Sequence, residues 1–277
     1  MPPTIDINNE ARKKLRLDIV KELYGKGAKK QEKQAYLIIG LPASGKSSMA
    51  NPLEAETGSL IIDSDMAKER LPEFIESNGQ RADQVHLESQ IISEEVFKIA
   101  MQNGDNMILP IVGKSEKSIM SKYDRLKAAG YDVHLRLVDL PIEKTIERVV
   151  NRFRETGRLV PIDYITNEVG YRPVQNYVIM EKKGIFASYE AISTDVKYGE
   201  KPQPITTEEV IERLNDRGYG LQQEENIRGN ELVSRSDRGG SDNRVVYNQS
   251  AYHGTPHSFN EFSLEHIGTG EGAQVNG

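Results

Sequence analysis

Gly40-Leu41-Pro42-Ala43-Ser44-Gly45-Lys46-Ser47 fits the spacing G-x-x-x-x-G-K-[ST], and the residues around it matter as much as the match. Ala35-Tyr-Leu-Ile-Ile39 is a short apolar run of the kind that forms a buried strand. The residues after Ser47, beginning with Ser48, can continue as a helix, so the order reads strand, glycine loop, helix. Gly40 and Gly45 let the backbone turn and aim successive N–H groups inward as a nest for phosphate oxygens. The new helix adds its positive N-terminal end. Lys46 then reaches the β- and γ-phosphates, and the Ser47 hydroxyl ligates Mg²⁺. Residues 40–48 are therefore expected to hold ATP or GTP.

Composition narrows the setting. The chain has 277 residues, 37% of them hydrophobic and 28% charged, which suits a globular protein of one large domain or one domain with appendages. A mean hydropathy of -0.58 is low and suggests that part of the length is not packed. A formal net charge of -6 gives no general case for nucleic acid as a partner. There is no cysteine, which excludes disulfides, thiolate metal sites and cysteine nucleophiles. No apolar run approaches the ~20 residues of a membrane span, and the amino end lacks a signal-peptide core. A cytoplasmic protein without a membrane partner is the expectation.

Asp63-Ser64-Asp65 lies at the end of a second strand, Ser59-Leu-Ile-Ile62. Ligands of open α/β sheets sit at the carboxyl ends of strands. An acid there can serve a metal, for which Asp63 is the candidate, or take a proton from an attacked hydroxyl. Aspartate is also a favoured helix cap, and a helix is expected from about Met66. One acid can cap while the other does chemistry.

The remaining alternation is regular. A helix from about Asn8 to Tyr24 precedes the first strand, with Leu15, Ile19, Val20 and Leu23 inward and a basic, solvated opposite face. Leu71-Pro72 breaks the chain before a long helix from about Ala82 to Asn103, striped by Val85, Ile91, Ile92, Val96 and Ile99. Met107 to Val112 is a third strand, expected to be bulged or irregular at Pro110, and it ends in Gly113-Lys114. Lys114 is a candidate substrate contact or an exposed lysine. After a helix from Ser115 to about Ala129, Tyr131 to Val138 is a fourth strand, whose His134 is read as structural. A helix from Pro141 to about Thr156 carries Arg148, Arg152 and Arg154, with Arg158 past Gly157. Arg148 and Arg152 share a face. Such arginines either neutralise a transferring phosphoryl group or pair with Glu143, Glu147 and Glu155. Residues 162–183 read as helical but interrupted by Pro173, Glu190 to Lys197 as a last strand and Thr207 to Leu214 as a closing helix.

Domain 1–216 is thus read as a three-layer α/β/α fold with a mostly parallel sheet. From Arg217 the composition turns to Gln, Glu, Asn, Arg, Ser and Gly, so 217–250 reads as a flexible tail or linker. Residues 251–277 are too few to build a core.

The phosphate loop, the Asp-x-Asp strand end and the arginine cluster together resemble the zeta toxin family of P-loop kinases over roughly residues 10–200. The resemblance implies ATP-dependent phosphorylation of a small-molecule hydroxyl, for which UDP-N-acetylglucosamine is the family's best-known substrate, and an antitoxin protein as partner. It gives Lys46 and Ser47 the phosphate and magnesium roles and Asp65 that of general base, with Leu71-Pro72-Glu-Phe74 resembling the segment that follows. Arg158, in G-R-L-V-P, looks like the family's second arginine near the γ-phosphate. The first is Arg152 or Arg148, which leaves Arg148 also a candidate substrate contact. One departure stands out. The family's third strand ends in a pattern like I-E-G-T-G-R, with an acid for the sugar, where this chain has Leu109-Pro110-Ile-Val-Gly113-Lys114. The ATP half of the mechanism survives that change, and the sugar substrate does not follow from it.

Ala251-Tyr-His-Gly-Thr-Pro-His257, with Phe259, Phe262 and Ile267-Gly-Thr-Gly-Glu-Gly272, resembles the opening of an ADP-ribosyltransferase-like domain of the kind found in phage polyvalent proteins. The rest of that fold is absent, so NAD chemistry is not expected. A nucleotide-dependent switch or ATPase, or an inactive ATP-binding module of a multidomain protein, is the alternative to a kinase.

Overall fold

The structure is a computed structural model that describes residues 6–219, apart from residues 28, 159 and 198. The chain divides into a unit of residues 1–227 and another of 228–277, and the described residues belong to the first. The resemblance in 251–277 and nearly all of the expected linker lie outside the described residues.

Six strands form one sheet in the order β2-β3-β1-β4-β5-β6. They are β1 (Gln34–Ile39), β2 (Leu60–Ile61), β3 (Met107–Ile111), β4 (Asp132–Asp139), β5 (Ser188–Ser193) and β6 (Gln203–Ile205). All neighbours pair in parallel except β5 and β6. Period-two alternation sorts the two faces. Ala35, Leu37 and Ile39 of β1 and Val133, Leu135 and Leu137 of β4 enter the main core, together with buried residues of α1 (Glu10–Tyr24), α5 (His86–Asn103), α6 (Glu116–Ala128) and α8 (Arg172–Lys183). The alternate residues Tyr36, Ile38, Ile108, Val138 and Ile192 pack against Met49 and Ala50 of α2 (Ser47–Thr57). Helices on both faces of a mostly parallel sheet give the expected three layers.

Several expectations needed correction. β2 is two residues long, and β3 keeps an unbroken register at Ile38↔Pro110 rather than bulging. The Ile108 carbonyl accepts from Ile62 on the β2 side, and Pro110, two residues on, faces that same side beyond the end of β2. Its missing N–H therefore costs no ladder bond. Pro72 begins α4 (Pro72–Glu76) at the break expected there, and Pro173 sits in the first turn of α8 rather than interrupting a helix; a first-turn residue has no intrahelical N–H partner to lose. The long helix starts at His86, after turns, and buries Phe97 and Ala100 while Ile91 and Ile99 are only half-buried. A π-helical turn spans Tyr164–Val169, and the antiparallel β6 had no counterpart in the sequence reading.

The basic face of α1 is not simply solvated. Arg12 Nε donates to both oxygens of Glu88 at 2.9 and 2.8 Å, its Nη2 to Glu73 at 2.7 Å, and Arg16 Nη1 to Glu88 at 3.0 Å. Glu88 is buried, so its charge needs these partners. At the other end, α9 (Thr207–Asp216) is followed by Arg217, which holds Asp139 through two hydrogen bonds of 2.7 and 2.9 Å. Tyr219 stacks at a tilt on Tyr171. Residues 217–219 thus pack on the domain.

Candidate active site

β1 delivers the chain to the phosphate loop, and α2 carries it away. Gly40 allows a close approach: a Cβ there would lie 2.6 Å from the Val138 carbonyl and 2.8 Å from Ser44 Oγ. Ala43 and Gly45 take φ of 58° and 87°, the left-handed values an anion nest uses. α2 then starts without a side-chain cap, leaving its N-terminal dipole to the loop. Lys46 Nζ donates to the carbonyls of Gly40 and Leu41 at 3.1 and 2.9 Å. Burial lowers its pKa to about 8, against the pull of Asp63 and then Asp65.

Asp63 takes the capping role that the sequence allowed to one of the two acids. Asp63 Oδ1 accepts from the Asp65 N–H at 2.9 Å and so caps α3 (Ser64–Lys68). Burial and the neighbouring Asp65 raise its pKa. Asp65 Oδ1 accepts from Lys68 Nζ at 3.2 Å, and Oδ2 accepts from Arg158 Nη2. Burial pushes the Asp65 carboxyl up, but Arg158 and then Lys68 outweigh it and hold the group below its ordinary value, ionised near neutrality.

Arg152 and Arg158 converge on the same space from α7 (Ile142–Thr156) and the turn after it. Lys46 senses Asp63, Asp65, Arg152 and Arg158 together. The Arg152 guanidinium has no hydrogen bond or ion pair among the described residues, and its pKa is lowered by burial and then by Arg158. A cation so placed suits an anionic ligand. Arg148 lies elsewhere: it donates to the Ser44 carbonyl at 3.4 Å, to Thr194 Oγ1 at 3.2 Å and to the Thr194 carbonyl at 2.6 Å. Thr194 Oγ1 donates to the same Ser44 carbonyl at 2.6 Å, so the two residues brace the loop against the end of β5. Lys114 pairs with Glu168 at 3.1 Å and lies over the Tyr164 ring. His134 is structural, stacked on Tyr36 and bonded to Gln34 and Ser188.

A cavity of about 290 Å³ opens beside Lys46, Ser47 and Asp63, with Met66, Ile61 and Pro110 among its other walls. Among the described residues no three carboxylates or imidazoles gather into a metal cluster. Mg²⁺ takes one or two protein ligands and completes its shell with waters and phosphate oxygens. Ser47 and Asp63 share one cavity wall, and Asp63 Oδ2 has no hydrogen-bond partner among the described residues. Sequence reasoning missed Lys68 and Thr194. The three-residue spacing from Asp65 to Lys68 was the available signal for the first; nothing local pointed to the second.

A scan of protein families matches the zeta toxin family over residues 21–175, more than half of the chain. A search of curated proteins returns no match. Among solved structures, one from the PezAT chromosomal toxin–antitoxin system of the human pathogen Streptococcus pneumoniae is 17% identical. It aligns over 69% of this chain and 82% of its own, with a TM-score of 0.55. An AvrRxo1-ORF1:-ORF2 complex with ATP is also 17% identical, over 77% of this chain and 74% of that one, with a TM-score of 0.58. These likenesses show a shared fold. The family match, seated on a phosphate loop, an Asp-x-Asp strand end and converging arginines, places the chain in the zeta toxin family.

Proposed function

We propose that the protein is an ATP-dependent kinase that transfers the γ-phosphoryl group to a hydroxyl of a small molecule. The observation that carries this reading is that Lys46, Asp63, Asp65, Arg152 and Arg158 lie within electrostatic reach of one another, with Arg158 paired to Asp65 and with Lys46 and Asp63 lining a cavity. The loop amides and Lys46 would hold the phosphates, and Arg152 and Arg158 would neutralise charge on the transferring group. Asp65, ionised near neutrality, would take the hydroxyl proton. Mg²⁺ held by Ser47 and Asp63 would neutralise the phosphate oxygens and orient them.

UDP-N-acetylglucosamine and related nucleotide sugars are the first acceptors to test, by family membership. Pro110 stands where a sugar-binding acid was expected and Lys114 where the family has arginine, which supports a changed acceptor. The structural neighbour from a toxin–antitoxin system supports a protein partner of the antitoxin kind. Mass spectrometry of a metabolite pool containing UDP-sugars, incubated with protein, Mg²⁺ and ATP, tests the function. A new phosphorylated metabolite that is absent with Lys46→Ala supports it. ATP binding with no phosphorylated product favours a switch or an inactive module.

A further inference from the structure

We propose that Lys68 is the positioning residue of Asp65, an inference that rests on the kinase reading above. Both carboxylate oxygens are occupied, Oδ1 by Lys68 and Oδ2 by Arg158. Each oxygen keeps a second lone pair when it accepts one hydrogen bond, so an acceptor hydroxyl can reach Asp65 while both cations stay.

Lys68 is tied to Asp65 locally. Lys68 is only 8% exposed, and among the described residues its ammonium has one partner, Asp65. Leaving would strand a buried charge without compensation. It sits on α3 with Asp65, three residues on, and Ala67 beside it is fully buried. Arg158, whose side chain is 13% exposed, reaches the same carboxylate from the turn after α7. Its guanidinium shares its space with Lys46 and Arg152, a trio of cations for which a triphosphate is the matching anion. A bound nucleotide thus offers Arg158 a second anion.

Lys68 keeps the carboxylate in place. Asp65 takes the hydroxyl proton at Oδ2, and the hydroxyl oxygen forms its bond to the γ-phosphorus. The bond from that phosphorus to the bridging oxygen breaks, and its electron pair leaves on ADP. Lys68 touches neither substrate, so its effect passes through Asp65.

The test compares kcat, the KM for ATP and ATP affinity in the wild type, Lys68→Met, Lys68→Arg, Asp65→Asn and the Lys68→Met/Asp65→Asn double variant. Lys68→Met is expected to lower kcat by about 10²-fold, the cost of a misplaced reacting group. ATP affinity should stay within about twofold, since nucleotide binding is not what Lys68 serves. Lys68→Arg should restore most of kcat, and Lys68→Met should cost nothing further in the Asp65→Asn background. Lys68→Gln, uncharged and polar, gives the same comparison if the methionine variant does not fold. A kcat unchanged in Lys68→Met, or an equal loss with and without Asp65, would overturn the proposal while leaving the kinase reading intact. A wild type that binds ATP but shows no acceptor-dependent consumption would overturn both.

Discussion

The guanidinium of Arg158 closes on Oδ2 of Asp65 across 93 positions of sequence, joining the turn after α7 to the strand end at β2. Arg158→Ala is expected to lower kcat by about 10³-fold, the scale of an arginine that stabilises a transferring phosphoryl group. Steady-state kinetics with saturating ATP measure it. A loss confined to KM would mean that Arg158 serves ground-state binding alone.

Asp65→Asn should bind ATP as the wild type does and lose turnover by about 10²-fold or more, because the amide cannot take the hydroxyl proton. Calorimetric ATP titration beside a turnover assay separates the two effects. Unchanged turnover would reduce Asp65 to an anchor for Arg158.

The α1 arginines bear on stability rather than chemistry. Arg12→Met leaves Glu73 and the buried Glu88 short of a partner, and the expected cost is about 3 kcal/mol. Arg16 still reaches Glu88, so Arg12 and Arg16 should show coupling when both are replaced. Urea unfolding of the single and double variants tests this, and a free energy unchanged in Arg12→Met would contradict it.

His134 gives a pH signature. Burial, and then the neighbouring Arg136, lowers its pKa below the ordinary 6.5. Between 6.5 and the lower folded value the unfolded chain binds the extra proton, so this contribution to stability is full above that window and falls as pH drops through it. His134→Gln should flatten that part of the stability profile, measured by denaturant unfolding from pH 7.5 to 5, roughly the range of histidine titration. An identical slope in the variant would rule the histidine out.

The sheet's central strands were legible because their signals are local: an apolar run before a glycine loop, and alternation that sorts Leu37 from Ile38. The loop and Asp63 and Asp65 followed from the same reasoning. Proline was read too simply. Pro72 and Pro173 suit helix starts, and Pro110 suits a strand whose neighbour ends early, but the end of β2 is visible only in the sheet. The fate of the arginines was equally non-local. Arg148, Arg152 and Arg158 look alike in sequence, yet one braces Ser44 and Thr194, one has no partner among the described residues, and one pairs with Asp65. Arg12 looked solvated because its partners lie 61 and 76 residues away.

The most direct test of phosphoryl transfer follows isotope-labelled γ-phosphate from ATP in the presence of Mg²⁺ and a fractionated metabolite pool, with Lys46→Ala in parallel. The label is expected in an alkali-stable phosphomonoester of a small hydroxyl compound, and in nothing but ATP for the variant. Label appearing only as inorganic phosphate, at a rate indifferent to added metabolites, would contradict the kinase reading.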